Sequence, residues 1–195
     1  MRGARAPHTV KAPSNQERIM HFFQAQLESP LGALSLVTDD RQQVRALEFA
    51  DSPQRLRRLL HLHYGTYTLR EAPAPAAIVT ALAHYFSGQC DALDGIATAT
   101  GGSALQQRVW QALRRIPAGE VTSYGALARQ LGHDDRQAAR AIGGANAANP
   151  IAIIVPCHRV IGKDGALKGY AWGLERKRWL LAHENAAAGL LREAG

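Results

Sequence analysis

Between Met20 and Phe49, apolar and polar positions alternate in three short runs, which is the period of half-buried strands. The runs are Phe22 to Leu27, Ala33 to Val37 and Val44 to Phe49, separated by the turn clusters Ser29-Pro30-Leu31-Gly32 and Asp39-Asp40. The period then lengthens. Ser52 followed by Pro53 predicts a helix start, with Leu56, Leu59 and Leu60 on one side. A second helix, from Pro75 to Phe86, carries Ile78, Leu82 and Phe86 at four-residue spacing with Tyr85 near the same face. Asp91 to Thr100 is predicted to be extended. Strands mixed with helices make this first half a small α+β domain.

The second half has a helical period. Gly101-Gly102-Ser103 is expected to be a linker, and Ser103 to cap a helix with Leu105, Val109, Ala112 and Leu113 as its apolar stripe. Ile116-Pro117-Ala118-Gly119 breaks that helix. Thr122 or Ser123 starts a short helix ending at Gly132, His133-Asp134-Asp135 turns the chain, and another helix runs from Arg136 to about Asn146. Two short helices joined by a tight turn follow the helix-turn-helix grammar. The apolar run Ile151 to Val155 then predicts a buried strand leading to Cys157. The expected organisation is a disordered leader over 1–18, with Met20 as a possible true start, an N-terminal domain over 19–100 and a C-terminal domain over 101–195.

Composition sharpens this. The hydrophobic share of 46% is that of a globular protein, and no apolar run approaches the roughly 20 residues of a membrane span. The N-terminus lacks the apolar core of a signal peptide, and two cysteines make no disulfide framework, so a reducing cytoplasmic setting is expected. The 195 residues carry a net charge of +7, unevenly spread. Residues 1–100 hold 10 Lys/Arg against 9 Asp/Glu, net +1; residues 101–195 hold 13 against 7, net +6. That asymmetry favours a polyanionic partner for the second half.

The chemistry centres on Pro156-Cys157-His158-Arg159-Val160. Cysteine attacks as a thiolate, and an adjacent imidazole or guanidinium eases formation of that anion. Cys90 has no such neighbours and is expected to be inert packing. The stretch Ala138-Ala139-Arg140-Ala141-Ile142-Gly143-Gly144 is nearly all small residues around one long cation. It suits either a tight helix contact or a backbone pressed against DNA with Arg140 projecting. His61 and His63 lack partners for a metal site.

Tyr124, Arg140, Ala148-Asn149-Pro150-Ile151, Pro156-Cys157-His158-Arg159-Val160, Gly169-Tyr170, Arg176-Lys177 and His183-Glu184 occur in an order that resembles the O6-alkylguanine-DNA alkyltransferase family. The resemblance is close from about Leu105 to Glu184 and looser over Met20 to Thr100. It implies a ribonuclease H-like α/β domain followed by a mostly helical domain with a helix-turn-helix. It implies direct-reversal DNA repair, in which Cys157 irreversibly accepts an alkyl group from O6-alkylguanine, once per molecule; O4-alkylthymine stays open. His158, a water and Glu184 match the family's proton relay, Tyr124 its phenol that donates toward the base, and Asn149 its brace before the reactive segment. Arg140 matches the finger that fills the stack when the base is flipped. Ala138, Ala139, Gly143 and Arg159 are the other expected DNA contacts, through the minor groove of a duplex. Tyr170, Ala171, Trp172 and Val160 are expected around the substrate. Many relatives have serine and glycine at positions 171 and 172, so Trp172 is expected to narrow the pocket, unless its indole packs away near Trp179. No metal or other cofactor is implied, and a monomer is expected. A helix-turn-helix regulator and a cysteine hydrolase are the alternatives. The length and the two cysteines count against a regulatory fusion, Cys157 against a damage-sensing relative that flips bases without chemistry, and the basic, arginine-bearing second half against a hydrolase.

Overall fold

In a computed structural model, residues 19–133 and 136–184 are described, apart from the side chain of Arg136. The three predicted strands form as β1 (Met20–Leu27), β2 (Leu34–Thr38) and β3 (Val44–Phe49), antiparallel neighbours with Leu27 opposite Leu34 and Leu34 opposite Phe49. Helix α1 (Pro53–Tyr64) follows at once. Its Ser52 side chain makes no capping bond, so Pro53, preset to a helical φ, is what marks the start. The sequence pattern assigned nothing to the next strand, β4 (Tyr67–Glu71), which runs parallel to β1 and completes the order β3-β2-β1-β4. As an edge strand it has neither a buried stripe nor a second ladder, so its five residues leave little pattern to read. Helix α2 (Ala76–Phe86) buries Ile78 and Leu82 as the spacing predicts, but Tyr85 is the aromatic it buries, while Phe86, expected on the stripe, is only half-buried.

Strands β2 and β3 are buried on both faces. Phe22, Val37 and Ala46 pack under Leu56 and Leu60 of α1. The other face, with Leu34, Leu36, Leu47 and Phe49, merges into a core that also contains Val109, Ile142, Ile151 and Leu180. One continuous core therefore joins the two halves of the chain.

Two expectations fail between the halves. Asp91 to Gly95 is a run of turns, and only a single bridge, Val44 to Thr98, is extended. Gly101-Gly102 is a packed crossing rather than a loose linker. A side chain at Gly101 would lie 2.6 Å from His63 Cβ, and one at Gly102 would lie 2.9 Å from the Trp110 ring. Glycine is needed there because the chain passes directly over two side chains.

Helix α3 (Ala104–Leu113) opens with a capping box between Ser103 and Gln106. The two-residue strand β5 (Thr122–Ser123) leads into α4 (Tyr124–Gln130), capped by Ser123, and α5 (Arg136–Ala147) packs against it. Asp134 and Asp135, expected in the turn, lie outside the described residues, as does the leader at 1–18. After α5 come a single 3-10 turn (Cys157–Arg159), strand β6 (Val160–Ile161) and α6 (Leu174–His183). β6 pairs in parallel with β5, so the start of α4 is held beside the residues that follow Cys157. Among the described residues, no helix is long and apolar enough to cross a membrane.

Candidate active site

The buried strand expected over Ile151 to Val155 does not form. All five residues are buried, but the chain curls, touching β3 through one bridge between Leu47 and Ile151. The cause is the side chain of Asn149, itself fully buried. Its Oδ1 accepts from Ile151 N at 2.9 Å, while its Nδ2 donates to Ile151 O at 3.1 Å and Val155 O at 2.8 Å. One carboxamide thus replaces several ladder bonds, as asparagine does in turns. Ile153 sits at φ +65°, a region that costs a β-branched residue of order 1–3 kcal/mol. The Asn149 side chain therefore holds this turn, and the strain in it sits at Ile153.

That turn delivers Cys157 into the interior, 2% exposed, with His158 beside it and no solvent contact. Glu184, just past the end of α6, meets His158 across 26 residues of sequence: His158 Nε2 lies 2.9 Å from Glu184 Oε1. The same oxygen accepts from the Tyr85 hydroxyl at 2.7 Å and from Arg159 Nη2 at 2.9 Å, and Oε2 accepts from Arg159 Nε at 2.8 Å. A carboxylate that only accepts requires His158 Nε2 to donate, which leaves Nδ1 as the basic nitrogen. Nδ1 is buried and has no hydrogen-bond partner among the described residues.

The electrostatics follow from burial and pairing. Burial would raise the Glu184 carboxyl, but hydrogen bonds from His158 and Arg159 outweigh it and hold the group well below its ordinary range. Burial keeps His158 neutral by lowering its pKa, against the opposing pull of Glu184. Burial also pushes the Cys157 thiol up to about 11, although Asn149 and the charge of Lys177 work in the other direction. The resting thiol is protonated and needs a base.

Arg159 was expected to contact DNA, and here the structure corrects the sequence reading. It is 4% exposed, its Nε and Nη2 grip Glu184, and its Nη1 donates to Ile116 O at 2.5 Å. A buried, bidentate guanidinium holds the carboxylate and is not free to meet phosphate. Tyr85 and Lys177 are further parts to which sequence reasoning gave no role. Lys177, fully buried, donates from Nζ to the carbonyls of Val160 at 2.6 Å, Lys168 at 3.0 Å and Gly169 at 3.3 Å. Burial lowers its pKa to about 8. Its signal was available: Lys177 stands three and four residues before Leu180 and Leu181, on the stripe that α6 buries.

The remaining expected residues lie at varying distances from Cys157. Tyr124 opens α4 with its hydroxyl donating to Lys168 O at 3.2 Å, and burial followed by the nearby Cys157 raises its pKa. Gly143 on α5 faces that phenol, since a side chain there would meet the Tyr124 ring at 3.8 Å. Ala138 and Ala139 are half-buried on α5, and Arg140 is exposed, with no hydrogen bond or ion pair to any described residue. Tyr170 packs edge-on to His158 at 6.4 Å, and its buried hydroxyl has no partner among the described residues. Val160 is wholly in the core and Ala171 is exposed.

Trp172 takes neither expected position. Its indole is buried toward the N-terminal sheet, where Nε1 donates to Glu48 Oε2 at 2.5 Å and Arg55 lies 4.6 Å from the ring. Arg55 also pairs with Glu48. Trp179 lies elsewhere, stacked on His183 at 4.8 Å. One edge of Trp172 still meets Tyr170 at 5.0 Å. Among the described residues, no group of three or more His, Cys, Asp or Glu could hold a metal ion.

Comparison with known proteins agrees with this arrangement. Residues 104–186 match the family described as 6-O-methylguanine DNA methyltransferase, DNA binding domain. The methylated-DNA–protein-cysteine methyltransferase of Salmonella typhimurium is 47% identical over 168 residues, 85% of this chain and 97% of that protein. The corresponding protein of Mycobacterium tuberculosis is 42% identical over 164 residues, 83% of this chain and 92% of its own. A crystal structure of the Mycobacterium tuberculosis O6-methylguanine methyltransferase superposes with a TM-score of 0.69 at 37% identity, covering 88% of this chain and 99% of that one. A crystal structure of the same organism's protein in complex with DNA gives 0.69 at 38% identity, covering 86% and 96%. With Cys157, the His158–Glu184 pair beside it and the helical pair all in place, the chain belongs to the methylated-DNA–protein-cysteine methyltransferase family.

Proposed function

We propose that this protein repairs O6-alkylguanine in double-stranded DNA by direct reversal, with Cys157 as the acceptor. The observation that carries this is the buried Cys157 thiol beside a histidine whose outer nitrogen is fixed by Glu184 and whose inner nitrogen is unpaired. His158 Nδ1 takes the thiol proton through a water. The sulfur then attacks the saturated alkyl carbon: the S–C bond forms, the C–O6 bond breaks and its electron pair stays on O6. The departing guanine anion gains a proton, with Tyr124 donating a hydrogen bond toward it. Tyr124 can turn to the base without orphaning Lys168 O, because Lys177 bonds to the same carbonyl. Arg159 and Tyr85 hold Glu184, and Asn149 holds the turn. The thioether product is stable, so each molecule acts once.

A guanine in a duplex cannot reach a buried thiol and must be flipped out, at a cost of a few kcal/mol. The exposed Arg140 on a helix of small residues suits insertion from the minor groove, where bulky faces do not fit, with Ala138 and Ala139 beside it. Gly143 keeps α5 close to Tyr124. The reading is completed by a monomer acting in the cytoplasm or on the nucleoid. Tyr170 walls the substrate space, and Trp172 shapes that wall from behind. The test is stoichiometry: a methylated duplex in excess should transfer one methyl per protein molecule and then stop. Continued turnover would contradict the reading.

A further inference from the structure

Four buried side-chain polar atoms among the described residues lack a hydrogen-bond partner, and three of them belong to residues around Cys157. They are His158 Nδ1, the Tyr170 hydroxyl and Asn146 Oδ1. Native proteins pair nearly all such atoms, so a cluster of exceptions marks where a ligand supplies the partners. The relay accounts for His158, and Tyr170 was expected at the substrate from sequence. Asn146 was not, and neither the relay nor the brace uses it.

Its placement is specific. Asn146 lies on α5 three residues beyond Gly143, hence on the side of the helix that faces Tyr124. It is 5% exposed, and its Nδ2 points at the carbonyl of Cys157, 3.5 Å away. That contact orients the carboxamide, since only the nitrogen can donate to a carbonyl, and it turns Oδ1 away from the Cys157 backbone. The result is a buried acceptor, without a partner, within one residue's reach of the reactive cysteine.

An O6-alkylguanine carries no hydrogen on N1. The donors on its pairing edge are those of the 2-amino group, while its ring nitrogens and ether oxygen accept. A lone acceptor therefore complements the amino group and no other part of that edge. We propose that Asn146 Oδ1 accepts a hydrogen bond from the 2-amino group of the flipped base, making Asn146 a specificity-determining residue that separates alkylated guanine from 6-alkoxypurines lacking the amino group. This rests on Cys157 being the alkyl acceptor. A polar pocket atom left unpaired by the wrong substrate is a strong source of discrimination.

The test uses single-stranded oligonucleotides, so that pairing with an opposite strand does not enter. One contains O6-methylguanine and the other contains the same base without its 2-amino group. Single-turnover methyl transfer is measured for the wild-type protein, Asn146→Leu and Asn146→Ala. The wild type should favour the guanine substrate by about threefold to tenfold, the span of one hydrogen bond. Both variants should bring the ratio close to one. A role confined to holding the Cys157 carbonyl would slow both substrates alike and keep the wild-type ratio, which would overturn the proposal. The alanine variant opens space instead of filling it, so the ratio remains measurable if the leucine variant does not fold. A wild type that transfers methyl but shows no preference also overturns it. Absence of any transfer by the wild type would instead sink the functional reading, and the inference with it.

Discussion

Strands β2 and β3 and the turn that carries Cys157 are both deeply buried, yet they treat polar groups in opposite ways. In the sheet region, Asp39 is met by Arg45 and by the backbone of Arg41 and Gln43, Gln26 bonds Ser35, and Glu48 is held by Arg55 and Trp172. His63 Nε2 is the exception on that side among the described residues. Around Cys157, three polar atoms have no partner among the described residues and Ile153 holds a left-handed backbone. A scaffold gains from pairing everything it buries. A site that must receive a ligand keeps partners in reserve, and strain is tolerated where the surroundings over-determine it. The Glu184 cluster lies between these extremes: every oxygen is paired, and the unpaired nitrogen of His158 is fixed because of it.

The contrast breaks most sharply at the nucleophiles. Cys157→Ser should abolish methyl transfer while leaving DNA binding in gel-shift assays. Cys90→Ser should leave transfer near wild type, because burial and the nearby Glu184 carboxylate raise that thiol, and its Sγ donates to the backbone carbonyl of His183. Next come the clamp residues. Arg159→Leu leaves a buried carboxylate without its main partner and should cost about 3–5 kcal/mol in urea unfolding, a loss that a DNA-contact residue on the surface would not show. Glu184→Gln should slow transfer by about 10²- to 10⁴-fold through loss of the oriented base.

The same carboxylate predicts a pH dependence. Its folded pKa lies below its usual value of 4.5, so its stabilisation is complete above that value and is lost as pH falls through the folded value. Wild-type stability should decline below about pH 4.5 more steeply than that of Glu184→Gln. Equal slopes would mean that the clamp contributes nothing to the fold.

Smaller effects probe the periphery. Arg140→Ala should slow repair of a duplex about tenfold or more while reaction with free O6-methylguanine changes little, because only the duplex requires flipping. Equal losses on both would return Arg140 to packing. Trp172→Gly removes a buried indole and one of the two partners of Glu48, at about 3–5 kcal/mol. It should also raise the benzyl-to-methyl rate ratio by freeing the Tyr170 wall. Destabilisation with an unchanged ratio would leave Trp172 as packing between sheet and loop.

What the sequence made legible follows the same division. Local period and turn chemistry placed β1–β3, α1–α5 and the Ser103 and Ser123 caps, because each signal lies within a few residues. The edge strand β4 escaped because little of it is patterned. The run Ile151 to Val155 misled for a different reason. Its apolar residues report burial, whereas its shape is set by hydrogen bonds from Asn149. Arg159 was expected on DNA, but its role depends on Glu184 being folded against it from 25 residues away. Tyr85 and Asn146 were invisible for the same cause: each meets the site only through the tertiary fold.

The most direct test of the whole account is a peptide map. The protein is incubated with a duplex containing a single O6-methylguanine, its intact mass is measured, and the digest is searched for the modified residue. The expected result is one methyl group per molecule, on the peptide that contains Cys157. A methyl on the Cys90 peptide, or an unmodified protein alongside demethylated DNA, would contradict it.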